Sequence, residues 1–264
     1  MTAAWRCGLR AGGPVDLFER VFDDEEMGGT VSVLRQPADG RLAARPRRAP
    51  ADPSERGGNR TLDTSPALAD LLPGGALRAG ATYSVTGSTA LTMALLAGPS
   101  EAGAWCGVVG MPGFAAAAGA DLGIDLSRLV FVPDPGTRWL SVVGALIDAL
   151  TVVVVRPPTA VRDAEAARIA ARLRQREAVL VTCGPWPRCE AQLTVTESNW
   201  LGVGPGHGHL IARQTTIAST GRGTAVRPRH TRLWLPDPDG AVRVIEEAAT
   251  AADTTPAWVR EAVG

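Results

Sequence analysis

Thr86-Gly87-Ser88-Thr89 is the tetrapeptide of this chain best placed for chemistry. An apolar run from Thr82 to Val85 precedes it, and a helical pattern with Leu91, Leu95 and Leu96 turned inward follows. A strand, a Gly turn and a helix N-terminus together aim backbone N–H groups at one point, the arrangement that cradles phosphates. A phosphate loop of the G-x-x-x-x-G-K-[ST] type asks for more: a long loop around a triphosphate, a lysine to neutralise it and a hydroxyl for the metal. Here the strand and the helix leave room for about three residues, and Ser88 stands at the lysine position. No other segment can supply that lysine, because all 27 basic residues of the chain are arginine.

Other reactive groups are scattered. Cys7, Cys106, Cys183 and Cys189 make neither a C-x-x-C pair nor a zinc spacing, which predicts reduced, mostly buried thiols. Cys183-Gly184-Pro185-Trp186-Pro187 follows an apolar strand, at the sheet edge where α/β proteins place ligands, but no histidine is near in sequence to activate the thiol. A stiff, Pro-flanked Trp covering the sheet end is the preferred reading. His207 and His209 flank Gly208 without a third ligand in reach, so they predict a hairpin surface and no metal site; no cofactor is expected either. Arg222, Arg227, Arg229 and Arg232 form a basic group that is either a solvated hairpin face or a contact for DNA phosphates or an acidic partner. Trp258, in the tail, is either an anchor for a partner or packed back on the core.

The elements that must position these groups are legible as alternating patterns. Strands are expected at Thr82–Val85, Trp105–Val109, Leu129–Val132, Thr151–Val155 and Val179–Thr182, with helices near 89–97, 113–122, 138–149 and 159–176. A continuous apolar strand such as Thr151-Val152-Val153-Val154-Val155 suits a parallel sheet covered on both faces. Antiparallel strands at Ala191–Thr196, Leu210–Ile217 and Arg232–Leu235 follow, joined by Gly202-Val203-Gly204-Pro205-Gly206 and by Gly221-Arg222-Gly223. The fold class expected is α/β: a doubly wound, mostly parallel sheet with helices on both faces and antiparallel strands on its C-terminal side.

Composition sets the boundaries. Residues 1–34 hold one weak amphipathic helix, Val15 to Met27, whose acids Asp23-Asp24-Glu25-Glu26 oppose the helix dipole. Residues 35–60, with seven Arg and four Pro, predict a flexible linker, either a solvated tether or a contact for nucleic-acid phosphates. Residues 61–236 make the core, beginning with a short helix at Ser65-Pro66, and residues 237–264 a C-terminal tail. Zero net charge argues against bulk attraction to nucleic acid or membrane, and no apolar run is long enough to span a bilayer. A cytoplasmic protein is expected.

From Leu72 to Pro236 the plan resembles the core of the RecA recombinase family. Leu122-Gly123-Ile124-Asp125-Leu126-Ser127-Arg128-Leu129 followed by Pro133-Asp134-Pro135-Gly136 looks like two of that family's sequence words at the same distance, and Thr151–Val155 is similar to its Walker B strand. The resemblance implies three catalytic groups, all missing here. Ser88 replaces the Walker A lysine, Val155 is followed by Arg156 where a metal-positioning Asp is expected, and Gly110-Met111-Pro112-Gly113 stands where the activating carboxylate belongs. Phosphoryl transfer depends on such charges, so a pseudo-ATPase, not an enzyme, is implied. Arg60-Thr61-Leu62-Asp63-Thr64-Ser65-Pro66-Ala67-Leu68, Val155-Arg156-Pro157-Pro158 and the Cys183–Pro187 stretch are similar to the ImuA family and its mycobacterial ImuA-prime branch.

That resemblance implies an accessory role in DNA damage-induced mutagenesis and translesion synthesis, beside an ImuB-type polymerase homologue, with DNA contact weak or indirect and no membrane. The alternative is a SulA-like cell-division inhibitor, which also resembles RecA without its ATP site.

Overall fold

The computed structural model describes residues 32–33, 60–204, 207–221 and 228–245. The N-terminal helix at Val15–Met27, the linker residues up to 59, Arg222, Arg227 and Trp258 lie outside the described residues.

Twelve strands and four α-helices follow one another in the described chain. After β1 (Ser32–Val33), the chain runs β2 (Thr61–Leu62), a 3₁₀ segment at Pro66–Leu71, β3 (Leu77–Arg78), β4 (Thr82–Thr86), α1 (Thr89–Glu101), β5 (Cys106–Val109), α2 (Ala116–Asp121) and β6 (Leu129–Val132). It continues with α3 (Trp139–Ala149), β7 (Val152–Val155), α4 (Asp163–Arg176), β8 (Val179–Cys183), β9 (Ala191–Gly204), β10 (His207–Gly221), β11 (Arg229–Trp234) and β12 (Arg243–Val244).

Ten of these strands form one sheet in the order β1-β6-β5-β7-β8-β4-β9-β10-β11-β12. From β6 to β9 every neighbouring pair is parallel, and β9 to β12 are antiparallel, as is β1 on β6. Among the five parallel strands that open the core, the spatial order is third, second, fourth, fifth, first, which is neither the Rossmann nor the flavodoxin-like order. From β4 onward the sheet displays the expected sequence of parallel strands first and antiparallel strands last, and β1, which pairs antiparallel with β6, is an addition to it.

Alternation along each strand assigns the two faces. Val152, Val154, Val179 and Val181 join the cluster that holds α1, whereas Val153, Val155 and Leu180 join the cluster of Trp139, Val143, Leu146, Ile169 and Leu173 from α3 and α4. The parallel strands are therefore buried on both faces, which is why their sequence is apolar without alternation. α1 is itself sandwiched. Leu91 to Ala97 are all buried, and the segment 61–77 crosses outside the helix with Leu68, Leu71, Leu72 and Leu77 in the same cluster. Gly98 is required at that crossing, since a Cβ there would lie 2.9 Å from the Thr64 Cα.

Three expectations are corrected. The helix at Ser65-Pro66 is a 3₁₀ segment, short because Leu72 is extended and Pro73 follows. The helix expected at 89–97 reaches Glu101 despite Pro99, the loss of one N–H being tolerated near its C-terminal end. The hairpin strands are far longer than Ala191–Thr196 and Leu210–Ile217, at 14 and 15 residues. Polar Glu197, Ser198 and Asn199 hide this strand in the sequence, because their backbone pairs with Thr216, Thr215 and Gln214 regardless of side-chain polarity.

Candidate functional site

The β4–α1 turn lies at the carboxyl edge of the sheet and contains only Gly87 and Ser88 between strand and helix. Gly87 takes a φ of +89°, a conformation that L side chains rarely adopt, and a Cβ there would touch Val195 of β9 at 3.4 Å. Ser88 is the N-cap of α1: its Oγ accepts the Leu91 N–H at 3.1 Å, satisfying one of the orphan donors at the helix start. Its carbonyl accepts the Thr92 hydroxyl at 3.2 Å. Thr89 opens the helix and Thr86 closes the strand. The residue at the lysine position is thus used by its own helix.

A residue that sequence reasoning missed completes this turn. Arg213 of β10 donates from one terminal nitrogen to the Ser88 Oγ at 3.3 Å and from Nε to the Ser198 Oγ at 2.7 Å, and its guanidinium lies 5.6 Å from the centroid of the Trp200 ring. Arg213 and Trp200 are direct cross-strand partners, which explains the stack. Burial pulls the guanidinium's pKa below its usual range, although the group remains a cation. The only signal in the sequence was one Arg inside an otherwise uncharged strand, Leu210 to Ser219. Its contact with Ser88, 125 residues away, depends on sheet register.

Further along the same edge, Arg156 follows β7, exposed, and its N–H donates to the Val109 carbonyl at 3.0 Å. Gly110 follows β5 with a φ of +71°, and a Cβ at this position would lie 2.6 Å from the Arg156 carbonyl oxygen. The two strand ends touch backbone to backbone, so the first residue after β5 has no room for a side chain of any kind. Cys183, at the end of β8, has its Sγ 3.5 Å from both the Thr92 hydroxyl and the Met111 sulfur. Burial pushes this thiol's pKa up, with the Thr92 contact and the Arg156 charge opposing it, the reverse of what an activated nucleophile requires. Trp186 is buried and meets Trp139 edge-on at 6.5 Å, covering the sheet end.

The predicted site residues therefore divide. Thr86, Gly87, Ser88 and Thr89 are joined by Arg213 and Trp200 at one corner. Val155 is buried, and Arg156 sits across the edge from that corner. Arg229 is apart from both: it lies on β11 and donates to the Asp70 carbonyl at 3.3 Å, tying the antiparallel strands to the 3₁₀ segment. His209 is exposed on the hairpin. Among the described residues no group of three or more His, Cys, Asp or Glu side chains converges as a metal site would require, and no helix is long and apolar enough to cross a membrane.

Residues 70–188 match a family model described as the MT3502 N-terminal domain. The chain is also 35% identical over 128 residues to the uncharacterized protein Rv3395c of Mycobacterium tuberculosis, a match taking in 47% of this chain and 63% of that protein. The chain thus covers less than two thirds of its relative's length. The family match includes β4 to β8 and α1 to α4 and stops before β9. Through its parallel half, the half that carries the β4–α1 turn, the chain is similar to the MT3502 N-terminal domain.

Proposed function

We propose that this protein is a non-catalytic, RecA-like scaffold that supports translesion synthesis by binding an ImuB-type polymerase homologue. The observation that carries the reading is the β4–α1 turn, where two residues replace a phosphate loop, Ser88 caps its own helix and Arg213 rests on Ser88. Two further features support it. Gly110 is packed against the Arg156 carbonyl where an activating carboxylate is expected, and Arg156 itself follows β7 where a metal-positioning Asp is expected. An arginine at that place repels Mg²⁺. The sheet, parallel strands first and antiparallel strands last, agrees with a RecA-like core, and a mycobacterial relative agrees with the ImuA-prime branch.

Phosphoryl transfer relies on positioned charge, and a fold that keeps the frame without those charges retains surfaces for binding. Co-expression with an ImuB-type homologue is the direct test. A complex that survives purification is expected, together with no ATP hydrolysis above that of a Ser88→Ala variant. Hydrolysis that Ser88→Ala abolishes would overturn the pseudo-ATPase reading, and absence of any complex would overturn the scaffold reading.

A further inference from the structure

The β9–β10 ribbon is longer than the sheet that bears it. β4 pairs with β9 only from Ala191 to Thr194, because the chain leaves the sheet at Gly87 to start α1. Among the described residues nothing else pairs with β9 on that side, so its edge is open from Thr196 to Gly204. Five successive residues, Thr196 to Trp200, are exposed, which a strand covered on either face or along its free edge does not show. From Ser198 to Gly204 the edge has no charged residue and no Pro, the usual protections of an open strand. Trp200, Val203 and Leu210 are 44%, 59% and 58% exposed on the same ribbon.

Beside this lane stand the Arg213 guanidinium and, one residue before Ser198, the Glu197 carboxylate, which is already engaged by the Thr216 hydroxyl at 2.8 Å. β4 ends at Thr86, and a Cβ on the next residue, Gly87, would meet Val195 at 3.4 Å, so a strand added along β9 would begin near the N-terminus of α1 and pass beside Trp200 and Arg213. Arg213 has no carboxylate within ion-pair distance among the described residues. A helix N-terminus and an uncompensated guanidinium favour negative side chains on whatever lies there. Unpaired backbone groups supply affinity to an extended segment, and exposed apolar residues select its side chains.

We propose that the open edge of β9, from Ser198 to Gly204, receives an extended segment of a partner protein that alternates acidic and apolar residues, adding a strand in the lane that β4 vacates. This inference rests on the scaffold reading and names its docking surface. The lane is about 24 Å long, room for about seven residues.

The probe is a fluorescent decapeptide alternating Glu and Val, with a second peptide carrying Lys in place of Glu, each titrated against the full-length chain. The Glu peptide is expected to bind at least about tenfold more tightly than the Lys peptide. Trp200→Ala and Val203→Lys, both at exposed positions, are each expected to weaken it by about tenfold or more, with the unfolding midpoint unchanged in Val203→Lys and lowered in Trp200→Ala only by the lost stack on Arg213. Equal binding of the two peptides, or no binding of the Glu peptide, overturns the proposal. A dimer of the free chain that Val203→Lys dissociates overturns it in favour of a second copy. Slow deuterium exchange at Ser198–Gly204 in the free chain, made fast by amide replacements of Asp23, Asp24, Glu25 and Glu26, overturns it in favour of the chain's own N-terminal segment.

The scaffold reading fails separately. If an ImuB-type homologue co-purifies equally with wild type and Trp200→Ala, the edge proposal falls and the scaffold stands. If the Glu peptide binds as expected and no homologue co-purifies, the edge stands and the scaffold reading falls.

Discussion

In the parallel half of the sheet, β7 sends Val152 and Val154 toward α1 and Val153 and Val155 toward α3 and α4, and all four are fully buried. In the antiparallel half, β10 buries Thr215, Ile217 and Ser219 on one face and leaves Gln214, Thr216 and Ala218 partly exposed and Thr220 exposed on the other, where no helix among the described residues covers them. Glu197, Asn199, Gln214, Thr216 and Arg232 line a shallow polar cleft of about 260 Å³ on that bare face. One half thus uses both faces for stability, and the other, among the described residues, leaves a face and an edge without a covering element. The family match covers the first half and ends before the second, so the part shared with that family is the covered frame.

The difference is open to direct attack. The largest effect belongs to a charge in the covered half: Val154→Asp buries an unpaired carboxylate and is expected to cost more than about 4 kcal/mol, leaving little folded protein. Thr220→Asp on the bare face is expected to change stability by less than about 0.5 kcal/mol. Urea unfolding of the two variants compares them, and similar losses would dissolve the distinction between the halves.

Next comes Gly110→Ala, which forces a side chain into the contact between the ends of β5 and β7 at a positive φ and is expected to destabilise by about 2 kcal/mol or more. A neutral result in thermal unfolding would show that this edge has slack, and with it room for a carboxylate. Ser88→Ala removes the N-cap of α1 and is expected to cost about 1 kcal/mol, which separates a structural role for this turn from a ligand-binding one.

A smaller loss is expected for Asp148→Asn. Asp148 accepts from Arg172 at 2.7 Å and Arg176 at 3.1 Å, joining α3 to α4 outside the sheet. Partial burial raises its pKa, but the two guanidiniums outweigh burial and hold the carboxyl below its ordinary value. Because the folded value is depressed, the stabilisation is present above the unfolded pKa of about 3.9 and is lost as the pH falls through the lower folded value. At neutral pH the substitution is expected to cost under about 1 kcal/mol, both arginines being half exposed, and the difference from wild type is expected to shrink as the pH is lowered through the depressed folded value.

Labelling of native thiols is expected to spare Cys106. It is buried in β5, and burial pushes its pKa up to about 12. Rapid modification would mean that the parallel half opens more readily than its packing implies.

What the amino-acid sequence determined by itself is the parallel half. Unbroken valines, apolar helix faces and Gly or Pro boundaries are local patterns, and they placed β4 to β8 and α1 to α4 within a few residues. The short turn at Gly87-Ser88 and the absence of lysine were equally plain, since they are facts of composition and spacing. The long hairpin was not. Glu197, Ser198 and Asn199 carry no strand signal of their own and extend only because β10 offers partners, so their conformation is a cross-strand property. Arg213 shows the same limit more sharply: its approach to Ser88 needs β9 beside β4 and β10 beside β9, in one register, so that two residues 125 apart meet at 3.3 Å. Local propensity cannot specify a pairing of strands so distant in the chain, and tertiary structure alone closed the turn and left the far edge of β9 without a partner among the described residues.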